Sequence, residues 1–307
     1  MNKYDDVQLN IAELLATKEK TAWSKNARSA DHLSLLSRIE LFLARWMTAG
    51  LYQTGLLRRM IYAHLKLDWF YEFRQYWIKE LGLRRLEPHD FYYLSGVYRQ
   101  KFQDLEVSEK NSTEFLQTWQ HPANIYLLFH YQYKLALHPL SAYTLAKYIN
   151  NGSSVCEYGC GLAPVTQCLN TYYADMNLSL TATDIPSYML HFVRWKFRNT
   201  PHVRVTSLDP ADNVPLDDHY DVITCMTVLE HLPRPLTVVK HMYEHLRPAG
   251  IFMFDYIKSE GTGLDTKNSL SERAEVLKFI RNNFTVLHGS IPEDNNNVTA
   301  VICKKKP

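Results

Sequence analysis

Neither sign of charge dominates this 307-residue chain, in which 34 Lys and Arg stand against 32 Asp and Glu. A balance so near neutral builds no long-range field for capturing polyanions, so a nucleic-acid partner is not expected. Long apolar stretches are missing too. No uncharged run approaches the roughly 18 residues that a membrane-spanning helix needs. The opening Met1-Asn2-Lys3-Tyr4-Asp5-Asp6 has no apolar core of the kind a secretory leader requires. A soluble, cytoplasmic protein without a membrane partner is the expectation. Cysteine is sparse: five residues, an odd number lacking the paired spacing of a zinc site, fit a reducing compartment better than a disulfide framework. No Glu of the first half is followed three residues later by His, which removes the ligand pairing of a di-iron helical bundle. The closing Lys304-Lys305-Lys306 reads as a solvated tail.

What is present divides the chain in two, a helical domain over 1–140 and an α/β domain over 141–307. In the first part Leu36, Ile39, Leu43 and Trp46 recur at helical spacing after Asp31, a suitable N-cap, and Gly50 offers a stop. A second helix is predicted from near Gly55 to Leu81, with Gly82 ending it. Aromatic residues crowd this region, among them Trp69, Phe70, Phe73, Tyr76 and Trp77. They suit a helical core, and equally a substrate pocket or a homodimer surface. Two further helical stretches between Asn124 and Ile149 break at His138-Pro139.

From there the rhythm changes. Short β-rich runs at Ser154–Tyr158, Leu178–Thr183, Val203–Ser207, Tyr220–Cys225, Ile251–Tyr256, Phe284–Leu287 and Val298–Cys303 alternate with helical segments. That alternation predicts a doubly wound, mostly parallel seven-stranded sheet covered on both faces. The first run leads from Glu157 through Gly159-Cys160-Gly161 into Pro164, so a strand enters a glycine turn and then a helix with proline in its first turn. Asp184 closes the second run and is followed by Ile185, while Leu208-Asp209 follows the third. A carboxylate in the Asp184 position can accept hydrogen bonds from both hydroxyls of a ribose. Met226-Thr227 follows the fourth run and leads into Glu230-His231.

In this ordered series the second half resembles the class I S-adenosylmethionine-dependent methyltransferases, closest in style to the small-molecule branch that includes the ubiquinone-biosynthesis enzymes. The resemblance covers about residues 145–303. It implies S-adenosyl-L-methionine as cofactor. Glu157 would then orient the methionine amino group through the turn, with the backbone of Gly159, Cys160 and Gly161 against the cofactor. Asp184 and Ile185 would hold the ribose, Leu208 and Asp209 would meet adenine, and Met226 and Thr227 would line the methionine side. Charge supports this independently, because a Glu ahead of the first glycine repels a pyrophosphate and suits an ammonium. In this chain Ala163 and Pro164 stand where many relatives place another glycine.

Some relatives use Glu230-His231 and an earlier Glu to hold a divalent metal. Here that earlier position is Thr227, so a metal is not expected. His231 is a candidate general base, or else a structural histidine at a helix start. Tyr133 and Tyr256 are further candidates on the acceptor side, with Tyr126, Phe129, His130, Tyr131 and Lys258 as pocket neighbours. The implied reaction moves a methyl group to a small-molecule acceptor such as a metabolite, sugar or natural product. An RNA or protein acceptor, or a non-catalytic partner that keeps the fold, are the competing readings.

Overall fold

The computed structural model describes residues 54, 68–82, 125, 127–128, 144–209, 216–258, 265–292 and 297–307. Two compact units divide the chain, one formed by Met1–Lys101 with Pro122–His138, the other by Phe102–His121 with Pro139–Pro307. In the first unit, helix α1 (Asp68–Gln75) runs into a π-helical turn over Tyr76–Glu80, and Gly82 takes a left-handed φ of 65° just beyond it. That placement matches the helix end read from the sequence. Phe73, Tyr76 and Trp77 are buried there, as are Ile125, Leu127 and Leu128. The helices expected before Asp68, and the candidates Tyr126, Phe129, His130, Tyr131 and Tyr133, lie outside the described residues.

The second unit is built on a seven-stranded sheet. Its strands are β1 (Ser154–Tyr158), β2 (Ser179–Asp184), β3 (Val203–Ser207), β4 (Tyr220–Cys225), β5 (Leu246–Tyr256), β6 (Phe284–His288) and β7 (Val298–Lys305). They lie in the order β3-β2-β1-β4-β5-β7-β6. The sheet is mixed: β3, β2, β1, β4 and β5 pair in parallel, and β7 is antiparallel to both β5 and β6. Among the described residues four α-helices accompany it: α2 (Pro164–Tyr172), α3 (Tyr188–Phe197), α4 (Pro235–His245) and α5 (Lys267–Asn283). Ser187 caps α3 by accepting from the Leu190 amide, and Thr266 caps α5 by accepting from that of Ser269. Both are the short polar side chains that satisfy the free amides of a first turn.

Strand alternation sorts the core into two layers. Cys156, Tyr158, Ile223, Cys225, Phe252, Phe254 and Tyr256 pack on one face with Val238 and Met242 of α4 and Val276 and Ile280 of α5. Val155, Leu180, Ala182, Val222, Ile251 and Met253 pack on the other with Val165 and Leu169 of α2 and Leu190 and Val193 of α3. Both faces are covered, which is why β1, β2 and β4 are buried at consecutive positions and not at alternate ones. The same alternation puts Glu157, Asp184 and Asp255 on the α2–α3 face. It puts Tyr256 on the opposite one. All five cysteines are buried and outside any disulfide.

Two expectations change. The stretch from Leu246 to Gly250 belongs to β5 instead of preceding it, because Leu246 already pairs with Tyr220 before a register shift brings Val222 opposite Ile251. The lysine tail is not simply solvated. Lys305 donates through Nζ to the carbonyls of Tyr243 and Leu246, and Lys306 to those of Arg281 and Asn282. Carbonyls at the ends of α4 and α5 have no partner within their helices, and an ammonium satisfies them while complementing the helix dipole.

Candidate functional site

At the carboxyl end of β1 the chain turns through Gly159, with φ of 63°, and Gly161, with φ of 52°. The two glycines are required for different reasons. A Cβ on Gly159 would lie 2.4 Å from Cγ2 of Val228, whereas one on Gly161 would meet nothing nearer than Met189 Sδ at 3.9 Å. The turn at 161 therefore leaves an open face, and its glycine answers to backbone conformation alone. Ala163 also takes a left-handed φ, of 54°, at the N-cap of α2. Its small side chain is fully buried there.

Two carboxylates grip this turn. Glu157 accepts from the amides of Val165 at 3.0 Å and Thr166 at 2.7 Å, so it stands in for the side-chain cap that α2 lacks. Burial pushes its carboxyl up to about 7, against the two helix amides, which favour the charged form. The sequence reading gave Glu157 to a bound amino group through the turn. In the structure both its oxygens are already turned on the start of α2, because position 157 faces the layer in which that helix packs. Asp184 accepts from the Gly161 amide through Oδ2 and from the Ile185 amide through Oδ1, both at 2.7 Å. Each of its oxygens keeps a lone pair for a further donor. Burial raises its carboxyl to about 6, with the same two amides opposing the rise, so it is mostly ionised at neutrality. Cys160, between the glycines, is buried and donates its amide to the Thr183 carbonyl, which ties the turn to β2.

Leu208 donates its amide to the Asp184 carbonyl and is buried in the core, while Asp209 beside it is exposed. Met226 is half-buried and Thr227 exposed. Thr227 has φ of 56°, a conformation that costs a β-branched residue on the order of 1–3 kcal/mol. Its amide donates to Asp255 Oδ1 at 2.5 Å and its hydroxyl to Oδ2 at 3.3 Å. Sequence reasoning passed over Asp255, because the link joins residues 28 positions apart. Asp184 thus joins the turns after β1 and β2, Asp255 ties the turn after β4 to β5, and Val228 sets that turn against Gly159.

The acceptor-side candidates are placed differently. His231 ends a 3-10 turn over Leu229–His231 that Thr266 pins, through its amide to the Glu230 carbonyl and its hydroxyl to the Leu232 carbonyl. Tyr256 is buried, donates to the Ser269 carbonyl at 2.5 Å, and has the Arg273 guanidinium 4.3 Å over its ring. Burial moves its phenol well above the ordinary tyrosine value. It is thus engaged with α5 on the far face of the sheet from the glycine turn. The Lys258 amide donates to Asn297 Oδ1. Among the described residues, no three His, Cys, Asp or Glu side chains are arranged to hold a metal ion. Nor is any helix among them long and apolar enough to cross a membrane.

Among the described residues Glu230 is a further buried carboxyl, and its Oε2 has no hydrogen-bond partner. Burial first, then the carboxylates of Asp255 and Asp265, raise it to about 8 despite Arg273. Stability that depends on the neutral acid is complete below the ordinary glutamate range and is lost as pH rises through about 8. Glu230→Gln, which keeps the neutral shape, is expected to match the parent in denaturant unfolding at pH 4, below the ordinary glutamate range. At pH 9.5 it is expected to exceed the parent by several kcal/mol, on the order of 4. An equal difference at both pH values would show that Glu230 is already ionised in the fold.

Known proteins resemble the chain over this same region. A family model described as a methyltransferase domain matches residues 128–287, just over half of the chain. The ubiquinone biosynthesis O-methyltransferase of Pseudomonas savastanoi pv. phaseolicola is 26% identical over 107 residues, which is 34% of this chain and 45% of that protein. Its counterpart in Aliivibrio fischeri is 29% identical over 104 residues, 34% of this chain and 43% of that one. The chain therefore spans under half the length of these curated relatives. Among solved structures, TehB from Haemophilus influenzae aligns at 17% identity and a TM-score of 0.42, over 58% of this chain and 66% of that one. The magnesium protoporphyrin IX methyltransferase from Synechocystis PCC 6803, solved with bound SAH, aligns at 15% identity and a TM-score of 0.42, over 57% and 87%.

Proposed function

Because the chain belongs to the class I S-adenosylmethionine-dependent methyltransferases, we propose that it binds S-adenosyl-L-methionine at the glycine turn and transfers the methyl group to a small-molecule acceptor. The observation that carries this is Asp184, a half-buried carboxylate fixed on the turn by two amides, with lone pairs to spare for two hydroxyls. The cofactor suits these residues. The face at Gly161 is open where a ligand must approach the backbone. Glu157 already occupies the first free amides of α2, so the helix start offers no cradle to a phosphate.

On this reading the backbone of Gly159, Cys160 and Gly161 lies against the amino-acid portion and Asp184 with Ile185 holds the ribose. Leu208 and Asp209 border the adenine, and Met226 and Thr227 face the methionine side. When bound, the cofactor supplies an electrophilic methyl on a sulfonium. The chain's own contribution is to hold donor and acceptor in line, which alone provides much of a transfer rate. His231, in the turn after β4, would on this reading take a proton from an acceptor hydroxyl or amine. A small acceptor is favoured by the near-neutral chain, and the curated relatives are named for O-methylation in ubiquinone biosynthesis.

The test is incubation of the purified chain with methyl-labelled cofactor and a panel of phenols, amines and carboxylic acids, with RNA and unfolded protein as comparison arms. Label in the small molecules is expected. Label in RNA or protein alone would overturn the acceptor class.

A further inference from the structure

We propose that Asp255 is a positioning residue of the cofactor site, acting through Thr227 without touching the cofactor itself. The inference rests on the cofactor reading above and adds the residue that sets the site's shape. Thr227 is the second residue beyond β4, which ends at Cys225, and it is held in the left-handed region that a β-branched side chain avoids. What holds it is one carboxylate from the neighbouring strand, whose two oxygens take the Thr227 amide at 2.5 Å and hydroxyl at 3.3 Å. Asp255 is itself almost fully buried, at 5% exposure, so it cannot follow the loop outward if the loop relaxes.

The consequence falls on the next residue. Val228 is half-buried against the core and lies on Gly159 so closely that a single added methyl there would stand 2.4 Å away. Val228 also accepts the His231 amide through its carbonyl, which starts the turn carrying that histidine. The backbone twist at Thr227 therefore fixes two things together, the wall against the glycine turn and the start of the His231 turn. β4 lies between β1 and β5 in the sheet, so a carboxylate at the end of β5 is well placed to catch the loop that leaves β4.

The experiment is calorimetric titration of S-adenosyl-L-methionine into four full-length proteins: the parent, Asp255→Ala, Thr227→Gly and the double variant. Glycine adopts the left-handed conformation without a clamp. Asp255→Ala alone is expected to weaken binding about tenfold, while in the Thr227→Gly background the same change should cost no more than about twofold. Asp255→Asn, which keeps an oxygen for the Thr227 amide, is expected to fall between parent and alanine. Should Asp255→Ala fail to fold, the same comparison is made with Asp255→Asn. An equal loss in both backgrounds, or no loss in either, overturns the role of Asp255 and leaves the cofactor reading standing. A parent protein that does not bind overturns the cofactor reading and the inference with it.

Discussion

Asp184→Ala is expected to weaken S-adenosyl-L-methionine binding by about a hundredfold or more, with the fold retained. Two charge-assisted hydrogen bonds to hydroxyls contribute roughly 1.5–3 kcal/mol each, and both disappear with the carboxylate. The variant also releases the amides of Gly161 and Ile185. Those amides lie at a half-exposed turn where water can replace the lost acceptor. Calorimetry measures the affinity and circular dichroism the fold. A pH series gives a second reading of the same group. Only the ionised carboxylate accepts from two hydroxyls, and its pKa in the unliganded fold is about 6. Affinity is therefore expected to hold from pH 8 to 7 and to fall as pH drops below about 6, a dependence that Asp184→Asn should flatten. Unchanged affinity in Asp184→Ala would remove the ribose role.

Gly159→Ala is expected to cost about 2–5 kcal/mol of folding stability. Two effects add: a left-handed conformation forced on alanine, roughly 1–2 kcal/mol, and a methyl driven into Val228, about 1–3 kcal/mol for overpacking. Val228 has little room to yield, because Thr227 is fixed at the preceding position. Gly161→Ala supplies the internal comparison, since only its φ of 52° opposes the change and its nearest neighbour would be 3.9 Å away. It should cost about 1 kcal/mol. Adding Val228→Ala to Gly159→Ala should recover the steric share alone. Equal costs at 159 and 161 in denaturant unfolding would show that the contact with Val228 yields freely.

Much of the fold was legible because the signals were local. The run Ser154–Tyr158 carries Val155, Cys156 and Tyr158 and leads into a glycine turn, and the structure gives β1 the same limits. Pro164 is at the first turn of α2, where its missing amide removes nothing. Asp184 could be found because it closes a strand, and strand ends in a parallel sheet are where ligands meet the chain. What escaped the sequence depends on residues that meet only after the sheet forms. The partners of Glu157 lie eight and nine residues on, beyond the three-residue spacing of ordinary caps. The clamp from Asp255 to Thr227 needs β4 and β5 to be neighbours. Tyr256 shows how fine the distinction is: one step along the pleat from Asp255, it faces the other layer and is buried against Arg273 and Ser269. The start of β5 was hidden for a different reason, since Pro248-Ala249-Gly250 reads as a turn and is instead an irregular stretch of strand with Ala249 at φ of 60°.

The most direct measurement is a crystal structure of the chain grown with S-adenosylhomocysteine. Its ribose hydroxyls are predicted to lie on the Asp184 carboxylate, with its amino-acid portion along Gly159–Gly161 and its sulfur toward Met226 and Thr227. Product bound away from the glycine turn, or a turn whose carboxylates stay closed to it at saturating concentration, would contradict the account.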